Sequence, residues 1–220
     1  MAILEIVLPS LKKDASLMKD FEEKLAPQLT TKLAKAGAKN GLLGPLATED
    51  GRDVSGEYRQ ILLLEWESAR YFDAFVASAD FAEFAGELKA KYAAAPARPT
   101  LFDPADGGDE LSSIFGGDAV VVEYLAVKPR DASEAGVEAV LTKLRSGSGG
   151  LARFGAPRVA VGSSANLETR EVAVVGVYAS DAELDAAKTA AARQELLADL
   201  AGVADVTNFV ARVKKILPLA

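Results

Sequence analysis

Three glutamates and an arginine stand in or beside segments that otherwise read as buried strands. They are Glu5 in "ILEIVL", Glu65 in "QILLLEW", Glu123 in "AVVVEYLAV", and Arg59 just ahead of the second of these. Carboxyl groups held in a poorly hydrated interior have raised pKa values and exchange protons near neutrality, so these four are the candidate catalytic residues. As strand-end residues reaching solvent, or as an ion pair satisfied by Arg59, they would instead be structural. Two aromatic residues end matching strands, Trp66 and Tyr178; with Gly176, Phe21 and Phe72 they are the candidate lining of a ligand cleft. Aromatic residues at helical and strand spacing also serve as plain packing.

What is missing narrows the chemistry. The chain has no histidine and no cysteine. The imidazole base, the serine–histidine relay and His-ligated zinc, iron or haem are therefore excluded. Thiol nucleophiles, disulfides, zinc–thiolate sites and iron–sulfur clusters are excluded with them. Chemistry must come from carboxylates, tyrosine, lysine, arginine, tryptophan or the substrate itself, and no cofactor or metal is expected. Asp103, Asp106 and Asp109 do not follow the EF-hand spacing, so their acidic stretch reads as a solvated linker rather than a calcium loop. The net charge of −7 opposes a phosphate-tracking role, and no nucleic-acid partner is expected. No apolar run approaches the roughly 18 residues of a membrane span. The opening "MAILEIVLPSLKKD" carries no basic leader with a small-residue cleavage site, so the expected location is the cytoplasm.

The elements that must position these residues follow from periodicity. Residues 3 to 8 form a strand closed by Pro9. From Asp14, an N-cap, the apolar positions Leu17, Met18, Phe21, Leu25, Leu29 and Leu33 recur at helical spacing up to Gly37, with Pro27 kinking or restarting the helix. "GLLGPLA" is a weak strand, residues 58 to 67 a strong one, and Ser68 is a capping candidate for a short helix carrying Tyr71, Phe72 and Phe75. A second helix past Asp80 buries Phe81, Phe84 and Leu88, and residues 98 to 102 complete the unit. Beyond the acidic, glycine-rich linker the order repeats: strand to Pro129, helix from Asp131, strands "PRVAVGSS" and "REVAVVGVYAS", one alanine-rich helix from Asp181 to Leu200, and "DVTNFVARV". Glu5 matches Glu123, and Trp66-Glu67-Ser68 matches Tyr178-Ala179-Ser180. The expected organisation is an N-terminal repeat over 1–102, a linker over 103–118 and a C-terminal repeat over 119–220.

A β-α-β-β-α-β unit makes a four-stranded antiparallel sheet with both helices on one face, and the bare face must be covered. The expected fold is thus α+β, with two ferredoxin-like repeats whose sheets pack face to face as an intrachain, pseudo-dimeric α/β barrel. In "LLLEWESARYFDAFVASADFAEF" a strand ends in Trp-x-Ser, and two helical segments follow with a break at Ser78-Ala79-Asp80-Phe81. This resembles the dimeric α/β-barrel superfamily, in particular the antibiotic-biosynthesis-monooxygenase-like and stress-responsive barrel proteins, here fused in tandem. The resemblance implies a cleft between sheet and helices that takes a small aromatic or polyketide-like ligand. It also implies, as one possibility, cofactor-independent oxygenation in which the substrate carbanion reduces oxygen, or polyketide cyclisation in secondary metabolism. A non-catalytic or structural barrel is the alternative. The cofactor-free oxygenases carry a tryptophan and an asparagine in the pocket. Trp66 supplies the first, but Asn40, Asn166 and Asn208 lie elsewhere in the sequence. Either a monomeric pseudo-dimer or a homodimer is compatible with such a chain.

Alternation along residues 58 to 67 sorts the side chains. Gln60, Leu62, Leu64 and Trp66 are expected beneath the helices, with Val174, Gly176 and Tyr178 as counterparts; Gly176 would leave room between sheet and helix. Glu5, Glu65, Glu123 and Arg59 are assigned to the opposite face, toward the interior between the sheets.

Overall fold

The computed structural model describes residues 1–104, 109–117, 121–146, 150–165 and 170–218, without the side chains of residues 109 and 110. The first strand, β1 (Ile3–Val7), leads to Asp14, whose carboxylate accepts from the Ser16 and Leu17 amides and so starts α1 (Ala15–Asp20). One π-helical turn, Phe21–Leu25, passes the chain to α2 (Ala26–Ala36), with Pro27 in its first turn, where the missing N–H costs nothing. The long β2 (Ala38–Glu49) follows, then the short β3 (Arg52–Asp53) and β4 (Gln60–Trp66). Two helices, α3 (Ala69–Val76) and α4 (Ala79–Glu87), return the chain to β5 (Thr100–Pro104).

A short helix, α5 (Asp109–Ser113), separates this half from the next, which comprises β6 (Val121–Pro129), α6 (Glu134–Arg145), β7 (Arg158–Ser164) and β8 (Val172–Tyr178). It ends with α7 (Asp181–Thr189), α8 (Ala191–Ala201), β9 (Ala204–Arg212) and β10 (Lys214–Leu217). The single helix expected over 181–200 is thus two. Ala190 is extended, and the Thr189 hydroxyl donates to the Asp185 and Ala186 carbonyls, ending the first segment at the place where α3 and α4 also part.

Within the first half the strands lie in the order β2-β4-β1-β5, and within the second in the order β7-β8-β6-β9, every pair antiparallel. The expectation of two separate sheets stacked face to face needs correction. The halves are joined edge to edge at two seams, where Phe102 pairs with Ser164 and Asp103 with Ser163, and where Leu46 pairs with Ala211 and Glu49 with Phe209. The result is one closed antiparallel barrel of eight strands. The reason is the two outer strands of each half, whose outward N–H and C=O groups find partners on the outer strands of the other half.

Closure creates three apolar layers. Leu4, Ile6 and Leu63 meet Val122, Tyr124, Val175 and Phe209 inside the barrel. Trp66, Phe72 and Phe75 pack beneath the N-terminal helices, and Tyr178, Leu184 and Leu196 beneath the C-terminal ones. The stretch read as a solvated linker also behaves otherwise: Leu111, Ile114 and Phe115 are buried within the barrel core, so the segment plugs it. Asp106 lies outside the described residues, and no cluster of metal-ligating side chains occurs among those described. No helix among them is long and apolar enough to cross a membrane.

One glycine is demanded by closure. Along β2, Gly41–Leu43 pair with β10 and Leu46–Glu49 with β9, so the chain steps from β9 to β10 beside Gly44. A Cβ at Gly44 would stand 1.9 Å from the Arg212 carbonyl oxygen. Gly44→Ala is expected to cost about 3 kcal/mol or more in denaturant unfolding. Gly56→Ala, with nothing within 4 Å of the added carbon, is the control and should stay within about 0.5 kcal/mol of the parent.

Candidate functional site

Strand register decides which way each glutamate points. Ile3 pairs with Trp66 and Glu5 with Leu64, so Glu5 shares the helix-covered face with the indole. Val121 pairs with Tyr178 and Glu123 with Gly176, which places Glu123 on the helix-covered face of the second half. The assignment of Glu5 and Glu123 to the barrel interior is therefore corrected. In an all-apolar strand nothing in the alternation marks which face is which. Glu65 does lie on the interior face, on the side of Ile61 and Leu63, where Asn40 Nδ2 and Ser112 Oγ each donate to it at 2.7 Å. It ties the plugging α5 to the barrel end. Arg59 sits at a barrel mouth, paired with Glu49 at 2.8 Å and lying over the Phe209 ring.

The two helix-covered glutamates occupy equivalent positions and have different company. In the second half Glu123, fully buried, accepts from three donors: Arg193 Nη2 at 2.7 Å and Asn208 Nδ2 at 2.6 Å on Oε1, and the Tyr178 hydroxyl at 3.1 Å on Oε2. Arg193 also donates to the Phe154 carbonyl at 2.9 Å, and its guanidinium lies 4.2 Å above the Phe154 ring. Burial, then the nearby Glu123 charge, holds the Tyr178 phenol well above its ordinary value. In the first half Glu5 has, among the described residues, a single side-chain donor, Trp66 Nε1 at 2.7 Å on Oε2. Burial pushes its carboxyl up to about 7, against the lowering effect of that hydrogen bond.

Around these couples the expected lining residues are tightly packed. Trp66 and Tyr178 are both fully buried. Phe72 meets the indole edge-on at 5.9 Å and Phe75 lies against it at 5.6 Å, while Phe21 packs edge-on against Tyr92. The room that Gly176 leaves is taken by Phe154, whose ring carbon would stand 2.3 Å from an added Cβ.

Open space lies beside the second couple. A cleft of about 460 Å³ runs between α8 and the strands β6 and β9, walled by Leu125, Leu197, Ala204 and Val206, with Ala201 at one side and Asn208 as an inner polar group. Arg130 and Asp205, paired at 3.2 Å, stand on its rim. Its volume lies within the range of roughly 300–1,000 Å³ found for small-molecule sites. Asn208 links this space to the buried ion pair, because a carboxylate accepts only and the amide must turn Nδ2 toward Glu123.

No protein-family model matches the chain, and no curated protein matches it in sequence. Solved structures do match. A candidate monooxygenase from Fusobacterium nucleatum superposes with a TM-score of 0.63 at 11% identity, covering 97% of this chain and 92% of that one. An anthrone oxidase-like protein gives 0.60 at 14% identity, covering 100% and 95%. A mutant chlorite dismutase from Candidatus Nitrospira defluvii gives 0.54 at 8% identity, covering 97% and 92%. The likeness is one of fold. What this chain shares with them is the closed antiparallel barrel described above.

Arg193 and Asn208 were not singled out from the sequence as site residues. Arg193 sits in "AARQELLADL", where alanine and charge look like a solvated helix; only its burial in the fold reveals the pairing. Removing its charge is expected to strand Glu123. Arg193→Met should cost about 3–5 kcal/mol, and pairing it with Glu123→Leu should recover part of that loss in a double-mutant cycle measured by urea unfolding.

Proposed function

We propose that this protein binds a small, largely apolar molecule in the C-terminal cleft between α8 and the sheet. The cleft itself carries this reading: about 460 Å³, apolar walls, and one inner amide anchored to a buried Glu123–Arg193 pair. An aromatic ligand, including one of polyketide type, fits such walls. A route to chemistry on that ligand is oxygenation without a cofactor, or cyclisation. The anthrone oxidase-like and monooxygenase-named neighbours support that direction, as does a sequence with neither histidine nor cysteine. We read the two halves as a tandem duplication of one ferredoxin-like unit of the antibiotic-biosynthesis-monooxygenase type, with the chain serving as its own dimer. The matched strand orders and the matched Glu5–Trp66 and Glu123–Tyr178 couples support this.

A second reading, a structural barrel without activity, is favoured by the packing around Trp66 and by Phe154 filling the space at Gly176. Calorimetric titration with a panel of anthrones and naphthols separates the two. Binding in the micromolar range, weakened at least about tenfold by Ala201→Trp at the exposed wall of the cleft, supports the site. No binding by any member, or binding indifferent to Ala201→Trp, favours the structural barrel. Oxygen uptake with the tightest binder tests the oxygenase reading separately.

A further inference from the structure

The two halves give their equivalent glutamates opposite treatment. Arg193 is the third residue of α8, and the third residue of α4 is Phe81, whose ring packs edge-on against Phe75 at 5.3 Å. Val210 stands opposite Glu123 as Leu101 stands opposite Glu5; two residues earlier the second half has Asn208 and the first has Pro99, whose side chain has no donor. Only the ring at the strand end is kept as a donor, Tyr178 in one half and Trp66 in the other. Of the three side-chain donors around Glu123, the N-terminal half retains one.

Among the described residues, no charged group on the surrounding elements compensates. Asp20 is bound by Lys24, Lys91 and Tyr92, and Lys32 by Asp80 and Glu83. Arg70, Asp73, Glu87 and Lys89 on the covering helices are exposed, and Glu65, beside Trp66 in the chain, faces the barrel interior. The rest of the layer is largely apolar, with Leu33, Leu64, Phe72, Phe75, Phe84 and Leu101; its two buried polar side chains are engaged elsewhere, Thr30 donating to the Ala26 carbonyl at 2.9 Å and Gln60 Nε2 lying 3.9 Å from Met18 Sδ.

We propose that Glu5 and Trp66 form a proton-operated latch on the N-terminal sheet–helix layer, closed over the indole when the carboxyl is protonated and loosened at α3 and α4 when it is ionised. A lone buried carboxylate with one neutral donor is costly, and the layer relieves that cost by admitting water. The direction follows from burial, which lifts the carboxyl from 4.5 to about 7. The stabilisation from holding the proton is complete below about 4.5, the unfolded value, and is lost as pH rises through about 7. In the C-terminal half the equivalent Glu123 is paired with Arg193 at 2.7 Å.

Trp66 is the only tryptophan, so its emission reports the latch directly. Folded protein titrated from about pH 5.5 to 8.5 is expected to show one emission transition, centred near neutrality. Glu5→Gln, which still accepts from the indole, should abolish it. Phe81→Arg, which restores the cation of the other half, should move the midpoint down by about one pH unit or more, a tenfold stronger ionisation. Should Glu5→Gln fail to fold, the side-chain carboxyl shift of Glu5 in 13C-labelled wild type reads the same ionisation. An emission flat across this range in the wild type, a transition surviving Glu5→Gln, or a carboxyl titrating at the ordinary glutamate value overturns the proposal.

Discussion

A strand at the edge of a sheet exposes a row of donors and acceptors, and each half of this chain has two such edges. The structure satisfies them on each other. At one seam the Ala165 amide donates to the Leu101 carbonyl at 2.8 Å; at the other the Asp50 amide donates to the Asn208 carbonyl at 2.8 Å, and the Asp50 carboxylate accepts from the Asn208 amide in return. Everything else follows from these seams. They enclose the barrel interior shared by both halves, they force the tight passage at Gly44, and they fix the stretch of β9 that carries Asn208 into the cleft. Among the described residues closure leaves no free edge on the eight barrel strands; only the short β3 and β10, each paired with β2, keep an open side.

With the scaffold fixed, the two helix-covered layers are free to differ. Each retains a glutamate in its first strand bonded to a ring at the end of its third. In the second half a guanidinium and an amide complete the arrangement, and the amide reaches open space; in the first, apolar residues take their places and the layer is closed. One layer is a charged, internally paired wall beside a cleft, and the other an apolar layer with a single isolated acid. The same strand positions thus support two unlike environments, as expected when function resides in sites carried by a fold rather than in the fold.

Much of this was legible in the sequence, and the misses have physical reasons. Strand and helix order followed from periodicity, and the match of Glu5 with Glu123 and of Trp66 with Tyr178 from identical placement in their elements. The faces of Glu5 and Glu123 were not, because "ILEIVL" and "VVVEYL" are apolar on both sides and only cross-strand register assigns a face. The plug was hidden because Leu111, Ile114 and Phe115 stand among acidic residues and glycines that look like a linker. Arg193 and Asn208 escaped because their partners are distant in sequence; a charge in an alanine-rich helix and an amide in a strand carry no local mark of burial. The seams are hydrogen bonds between backbones, to which no side-chain pattern testifies.

Site-resolved amide hydrogen exchange at the seams tests the central claim most directly. Closure predicts that the Asp50 and Ala165 amides are protected to a degree comparable with the amides of β1 and β6 within the halves, and that all of them lose protection together in denaturant. Seam amides exchanging at the rate of exposed loops, while the strands inside each half stay protected, would show two independent sheets and contradict the barrel.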